Sequence, residues 1–292
     1  MFPSLFLVAV VAPTVPATAV VALPTELWQV APDTTGKPWW LVGERGNDRA
    51  VILIPGLKLH PLRPNRVTRP ELHDWQETKS ELVKALARDA DVFAFGYAQT
   101  VAVDAVARCA GLNDAVVQLK RVGYTEVVLI GHSAGAVIAR GYAESFPDAG
   151  VTKVIQVAAP NTGSEFAAVF KTGYPKVQAP FVQSLAPGPR LVANRADKTR
   201  LGPKVEAVCV VCKVPRIDGD GLVPVASQWP DDLQQQGVPA VLLTASHFDA
   251  MKAAPAVRLI ADLAREKLTR WTPEQVATAR RVLFRDADEP KK

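Results

Sequence analysis

The sequence predicts an α/β fold, a mostly parallel central sheet with helices on both faces. Three observations point there. Apolar, β-branched runs recur along the chain, and segments of helical character separate them. The runs are apolar throughout instead of alternating, as strands covered on both faces are. Near the middle, Glu126 to Arg140 (EVVLIGHSAGAVIAR) passes from such a run directly into an Ala-rich helical segment through Gly131-His132-Ser133-Ala134-Gly135.

The 292 residues are 48% apolar, enough for one large domain with a substantial core or for two small domains. The expected organisation is an apolar leader over 1–25, a folded domain over 26–285 and a charged tail over 286–292. A net charge of +5 is modest for this length. Arg63 to Arg69 is basic but has no interleaved aromatics, so it reads as a solvated loop and no nucleic-acid partner is expected. Three cysteines make no disulfide framework. Cys209 and Cys212 form a C-x-x-C, but inside the apolar run Val205 to Val214 and without a second ligand pair. They are expected to be buried strand cysteines, and Cys109 to sit in the core.

Residues 1–25 carry no charged side chain. Leu5 to Ala12 has the character of the apolar centre of a secretory signal, and Ala17-Thr18-Ala19 or Val20-Val21-Ala22 would precede a cleavage site. Against this, no basic residue opens the stretch, and Pro3, Pro13 and Pro16 disfavour a helix. The expected location is secreted or cell envelope, with an N-terminal membrane anchor as the alternative.

The elements then follow in order. Glu26 to Val30 and Trp39 to Val42 read as short early strands, and Ala50 to Ile54 as a stronger one. Thr78 to Ala90 has an amphipathic helical pattern through Leu82, Val83, Leu86 and Ala87. Asp91 to Tyr97 is the next strand, and Ala102 to Val122 a helix interrupted at Gly111. The strand Val127 to Ile130 and its helix follow, the helix ending near Phe146-Pro147. Lys153 to Ala159 is another buried strand. From Asn161 to Lys204 the alternation breaks, among Pro, Gly and the aromatics Phe166, Phe170, Tyr174 and Phe181. That stretch is expected to be a cap or lid lining an acyl pocket, or else a packed excursion. Strands at Val205 to Val214 and Ala240 to Thr244 follow, then a helix over Ala256 to Leu268. Thr272, Pro273 and Gln275 spell the start of a last helix with a capping box.

The pentapeptide carries the chemistry. A sharp strand-to-helix turn holds a serine in a strained conformation, and only residues with little or no side chain fit at Gly131 and Gly135. Ser133 would project above the sheet, with the N–H of Ala134 aimed at a developing oxyanion. Pro55-Gly56-Leu57-Lys58 ends the strand Ala50 to Ile54. Gly56 would let the backbone approach, and the N–H of Leu57 would be the second donor. A serine hydroxyl needs a base, and the base an acid to orient it. Of four histidines, His132 lies inside the turn, and His60 and His73 precede the serine. His247 alone follows the last strand, so it is the candidate base. Asp220, in Asp218-Gly219-Asp220-Gly221, is the preferred acid, with Asp218 the rival.

These residues resemble the α/β-hydrolase superfamily, most closely secreted bacterial triacylglycerol lipases and esterases. Pro55-Gly56-Leu57 is similar to their His-Gly-Leu oxyanion loop, with proline in place of histidine. Gly131 to Gly135 matches their elbow. Asp218-Gly219-Asp220-Gly221-Leu222-Val223 resembles the Asn-Asp-Gly-Leu-Val segment that carries the acid, which favours Asp220. His247-Phe248-Asp249 resembles the His-Leu-Asp that carries the base, and Ala159 to Ser164 resembles Thr-Pro-His-Arg-Gly-Ser. The likeness spans Ala50 to Ala254. It implies an α/β-hydrolase fold and cleavage of small-molecule or lipid carboxylic esters through an acyl-Ser133 intermediate, and it allows contact with a membrane or lipid interface. It implies no organic cofactor. In those lipases the carboxylate two places after the base helps hold a structural calcium ion. Asp249 occupies that place, but the sequence offers no second calcium carboxylate. A phospholipase or an acyltransferase would use the same triad. A hydrolase-fold binding protein with a vestigial triad is the non-catalytic alternative.

Overall fold

A computed structural model describes residues 22–32, 45–60, 63–169, 174–196 and 200–284. The leader up to residue 21, the early strand expected at Trp39 to Val42, Phe170 and the tail from 286 lie outside the described residues.

The expected strands fall where apolar runs predict them. They are β1 Thr25–Ala31, β2 Arg49–Ile54, β3 Asp91–Tyr97, β4 Glu126–His132, β5 Lys153–Val157, β6 Glu206–Lys213 and β7 Ala240–Thr244. Among the described residues these seven form one sheet in the order β1-β3-β2-β4-β5-β6-β7. Only β1 is antiparallel, pairing Thr25 with Tyr97 and Glu26 with Gly96 at one edge. The other pairs run parallel, so their C-terminal ends share one edge, where the site is built.

Alternate residues feed two cores, because successive side chains leave a strand on opposite faces. Ile52, Ile54, Val127 and Leu129 face one layer, formed with Leu112, Val116 and Leu119 of the helix Ala110–Arg121 and Val137 of the helix Ala134–Ser145. Val51, Leu53, Val128 and Ile130 face the other, with Leu82, Val83 and Leu86 of the helix Glu81–Leu86 and Val257, Ile260 and Leu263 of the helix Ala254–Arg265. Cys209 and Cys212 are buried on β6 and Cys109 is buried among the helices. Burial pushes the Cys209 thiol up to about 12, so it is inert as a nucleophile.

Two helices differ from expectation. The helix expected over Thr78 to Ala90 is confined to Glu81–Leu86; it starts there because the Ser80 hydroxyl accepts the Val83 N–H at 3.1 Å and caps it. The helix expected over Ala102 to Val122 is split into Val103–Ala107 and Ala110–Arg121, and the break falls at Arg108-Cys109 instead of Gly111. Gly111 serves close packing: a Cβ there would lie 1.8 Å from the Thr25 hydroxyl on β1. The capping box of Thr272 and Gln275 starts the helix Pro273–Leu283 as predicted. At the opposite edge of the sheet from the site, the buried Lys153 ammonium on β5 donates to the carbonyls of Leu263 and Ala264, both at 3.1 Å, and of Glu266. It thereby caps the end of the helix Ala254–Arg265.

Candidate active site

Ser133 stands between β4 and the helix Ala134–Ser145 with φ 54° and ψ −125°. A non-glycine residue held at positive φ costs about 1–3 kcal/mol, which the surrounding structure must offset. The two glycines explain how. A Cβ at Gly131 would lie 2.3 Å from the Gly135 carbonyl oxygen, and one at Gly135 would lie 2.2 Å from the Ile54 oxygen. Main chain therefore packs directly on main chain around the serine. The Ser133 N–H donates to the Val157 carbonyl at 2.9 Å, tying the turn to the end of β5.

His247 follows β7 and reaches Ser133 from the side. Its Nε2 lies 3.0 Å from Ser133 Oγ, and its Nδ1 lies 2.7 Å from Asp220 Oδ2. Since a carboxylate only accepts, the Nδ1 proton donates to Asp220 and Nε2 is left to receive one. Asp220 is 2% exposed and fully engaged. Its Oδ1 accepts the N–H groups of Leu222 at 2.9 Å and Val223 at 2.8 Å, and its main-chain oxygen accepts the His247 N–H at 3.0 Å. Asp218 is exposed, and among the described residues it accepts the Val225 N–H, at 3.4 Å. The geometry thus brings together Ser133, Asp220 and His247 and leaves Asp218 outside.

The other two predicted positions flank the serine. Ala134 is the first residue of its helix, where N–H groups have no acceptor within the helix. Gly56 lies against Ser133 so closely that a Cβ there would be 2.7 Å from Ser133 Cβ. Leu57 follows, and among the described residues no backbone carbonyl takes its N–H. Tyr97, Gln99 and Gln178 hold this loop, and none of them stands out in the sequence. The available signal for the first two was position: they stand at the C-terminal end of a fully buried strand, where α/β sheets build their sites.

The histidines other than His247 have separate places. His132 Nε2 donates to the His247 carbonyl at 3.1 Å, its ring centroid 4.8 Å from that of His247. Burial, reinforced by His247 and His73, holds its pKa well below the ordinary histidine value, so it is a neutral support under His247. Burial and the charge of Lys58 bring His73 down to about 4. His60 pairs with Glu71 at 2.8 Å and does not line the site.

A cavity of about 380 Å³ opens over Ser133 and His247. Leu57, Trp75, Phe166, Leu185, Val223 and Met251 give it an apolar wall, with Lys58 and Lys252 at its margin. Phe248 also lines it and is 75% exposed. Part of the expected cap does line this cavity, through Ser164, Phe166, Ala167 and Leu185. Phe181 does not: it is fully buried against Tyr97, ring centroids 5.8 Å apart, because the cap helix that carries it packs into the core. Arg190, on the cap helix Pro187–Ala196, donates to Asp104 at 2.7 Å and to the Asn161 carbonyl at 3.3 Å, which fastens the cap to the body. Asp249 accepts the Ser246 hydroxyl at 2.5 Å. Among the described residues no three His, Cys, Asp or Glu side chains gather in a group that could hold a metal ion. No helix among them is long and apolar enough to cross a membrane.

Solved structures similar to this chain share its architecture at low identity. The mature lipase BlEst2 of Bacillus licheniformis is 12% identical, with a TM-score of 0.59 over 82% of this chain and 98% of that one. Phospholipase PlaB of Legionella pneumophila is 15% identical, with a TM-score of 0.57 over 83% of this chain and 64% of that one. Lipase B of Aspergillus fumigatus is 15% identical, with a TM-score of 0.53 over 81% of this chain and 57% of that one. The chain therefore spans less than two thirds of the latter two. With the sheet order above, these likenesses define the chain as an α/β-hydrolase fold. The sequence matches no protein-family model, and no curated protein matches it significantly.

Proposed function

We propose that this protein is a serine hydrolase that cleaves carboxylic esters of apolar acyl groups. The observation that carries the reading is the hydrogen-bonded series Asp220–His247–Ser133, at 2.7 and 3.0 Å, facing an apolar cavity. His247 takes the Ser133 proton as Oγ bonds to the acyl carbon. The negative oxygen of the tetrahedral intermediate receives the N–H groups of Leu57 and Ala134, each worth on the order of 3 kcal/mol. The intermediate then expels the alkoxide, which takes the proton from His247 and leaves as the alcohol. Water repeats the sequence on the acyl-enzyme and releases the acid. Asp220 holds the imidazole in the useful tautomer and stabilises its cationic form. A cavity of about 380 Å³ is small for a binding site, which favours short to medium acyl chains over long ones.

A p-nitrophenyl ester series tests this, with wild type and Ser133→Ala, beside labelling by a fluorophosphonate. Turnover of short and medium esters that vanishes in Ser133→Ala, with labelling at Ser133, supports the reading. A wild type inert in both assays sinks it and moves the binding-protein alternative forward. Export rests on the apolar leader, and sequencing the N-terminus of the product from cell and medium tests it.

A further inference from the structure

The loop after β2 has no regular structure of its own, yet it carries one of the two donors of the proposed oxyanion hole. Buried side chains hold it from three directions. The Tyr97 hydroxyl donates to the Pro55 carbonyl at 2.7 Å. Gln99 Nε2 donates to the Gly56 carbonyl at 2.9 Å, and Gln99 Oε1 accepts the Lys58 N–H at 3.1 Å. Gln178 Nε2 donates to the Lys58 carbonyl and to Gln99 Oε1, both at 2.9 Å.

The contact with Gly56 matters most. The Gly56 carbonyl and the Leu57 N–H belong to one planar trans peptide and point in opposite directions. A donor fixed on that carbonyl therefore fixes where the N–H points. Gln99 can offer its NH₂ there only while its oxygen faces the other way, toward Lys58 N–H and Gln178. Gln178 belongs to the cap, at the end of the single turn Lys176–Gln178. It is fully buried, and its own Oε1 has no hydrogen-bond partner among the described residues. Its NH₂ group is the part in use.

We infer that Gln99 and Gln178 are positioning residues of the oxyanion hole. Gln99 orients the Gly56–Leu57 peptide, and Gln178, contributed by the cap, holds Gln99 in the orientation that does so. This rests on the serine-hydrolase reading above.

The test uses Gln99→Met, Gln178→Met and the double variant in the full chain, with p-nitrophenyl butyrate as substrate and phenylboronic acid as the tetrahedral analogue. The expected kcat loss is about tenfold to a hundredfold for Gln99→Met and about threefold to tenfold for Gln178→Met, as for a misaimed oxyanion donor. KM should change less than about twofold, since the ground-state ester uses the donor little. Phenylboronate affinity should fall by the same factor as kcat. The double variant should be no worse than Gln99→Met, because one residue acts through the other. Gln→Glu variants, near-isosteric, give the same readouts if a Met variant does not fold. Folded variants with wild-type kcat overturn the inference, as do losses confined to KM or multiplying in the double variant. Fluorophosphonate labelling of wild type separates the two readings. A wild type that neither labels nor turns over removes both, whereas one that labels beside equally fast Gln variants removes the inference alone.

Discussion

The two segments that meet at Ser133 are held by opposite means. The turn Gly131 to Gly135 is fixed by main chain against main chain, and a Cβ at either glycine would strike backbone at 2.2–2.3 Å. The loop Pro55 to Lys58 is fixed by side chains, drawn from Tyr97, Gln99 and the cap residue Gln178. The difference teaches where damage should appear. A change in the turn disturbs fold and chemistry together. A change in a side chain that holds the loop should touch fold or chemistry separately, according to which peptide it holds.

The largest break in that contrast would come from Gly135→Ala. Its Cβ would lie 2.2 Å from the Ile54 oxygen and 2.5 Å from the Pro55 oxygen, and backbone cannot step aside cheaply. Turnover should vanish and stability fall by about 3 kcal/mol or more, read by thermal unfolding beside the ester assay. A near-native melting temperature would contradict the main-chain account. Gly56→Ala tests the other side. Its Cβ would meet Ser133 Cβ at 2.7 Å and the His132 carbonyl oxygen at 3.0 Å, so kcat should fall on the order of a hundredfold and the melting temperature should fall too, by less than in Gly135→Ala.

Acid should probe the flank of the loop. His73 lies near Lys58 and Lys252, with Asp74 and Glu71 opposing them, and burial sets its folded value at about 4 against 6.5 when unfolded. The unfolded chain therefore binds the extra proton. Stability is complete above about pH 6.5 and is lost as pH falls toward 4, by on the order of 3 kcal/mol, with buried His132 steepening the slope. Denaturant unfolding across that window should show the decline, and His73→Phe should flatten it. An unchanged slope in the variant would assign the loss elsewhere. The smallest effect should come from Tyr97→Phe, which frees only the Pro55 carbonyl. That carbonyl belongs to a different peptide from the Leu57 N–H, so stability should drop by about 1–2 kcal/mol while kcat stays within about threefold.

The legible half of the site is the half built from local pattern. Gly131 to Gly135 is spelled within five residues because the strand, the turn and the helix are adjacent in sequence. Asp91–Tyr97 coincides with its apolar run because the strand is buried along its whole length, and Ala240–Thr244 coincides with its run although it lies at the sheet edge with Leu242 exposed. The histidine could be found by chain order, since only one follows the last strand. The frame around Leu57 had no such signal. Gln178 and Lys58 are 120 residues apart, and a glutamine that closes a loop reads locally like any other. Gly111 misled for a related reason: its neighbour is Thr25, on another strand, so its meaning lay in packing and not in the helix that contains it. Asp218 and Asp220 share one turn and differ only in which of them the fold turns inward.

Lys153 gives β5 a further significance. One end of this strand accepts the Ser133 N–H through Val157, and the other end is bolted by Lys153 to the helix that follows the His247 segment. Ser133 and His247, 114 residues apart, are thus hitched to the two ends of a single five-residue rod. In native-state hydrogen exchange the amides of β5, the turn at Ser133 and the helix Ala254–Arg265 would then open as one cooperative unit, at the slow end of the molecule's range. The site could not be loosened piecemeal from behind, and Ser133 and His247 would come apart only when the centre of the sheet does.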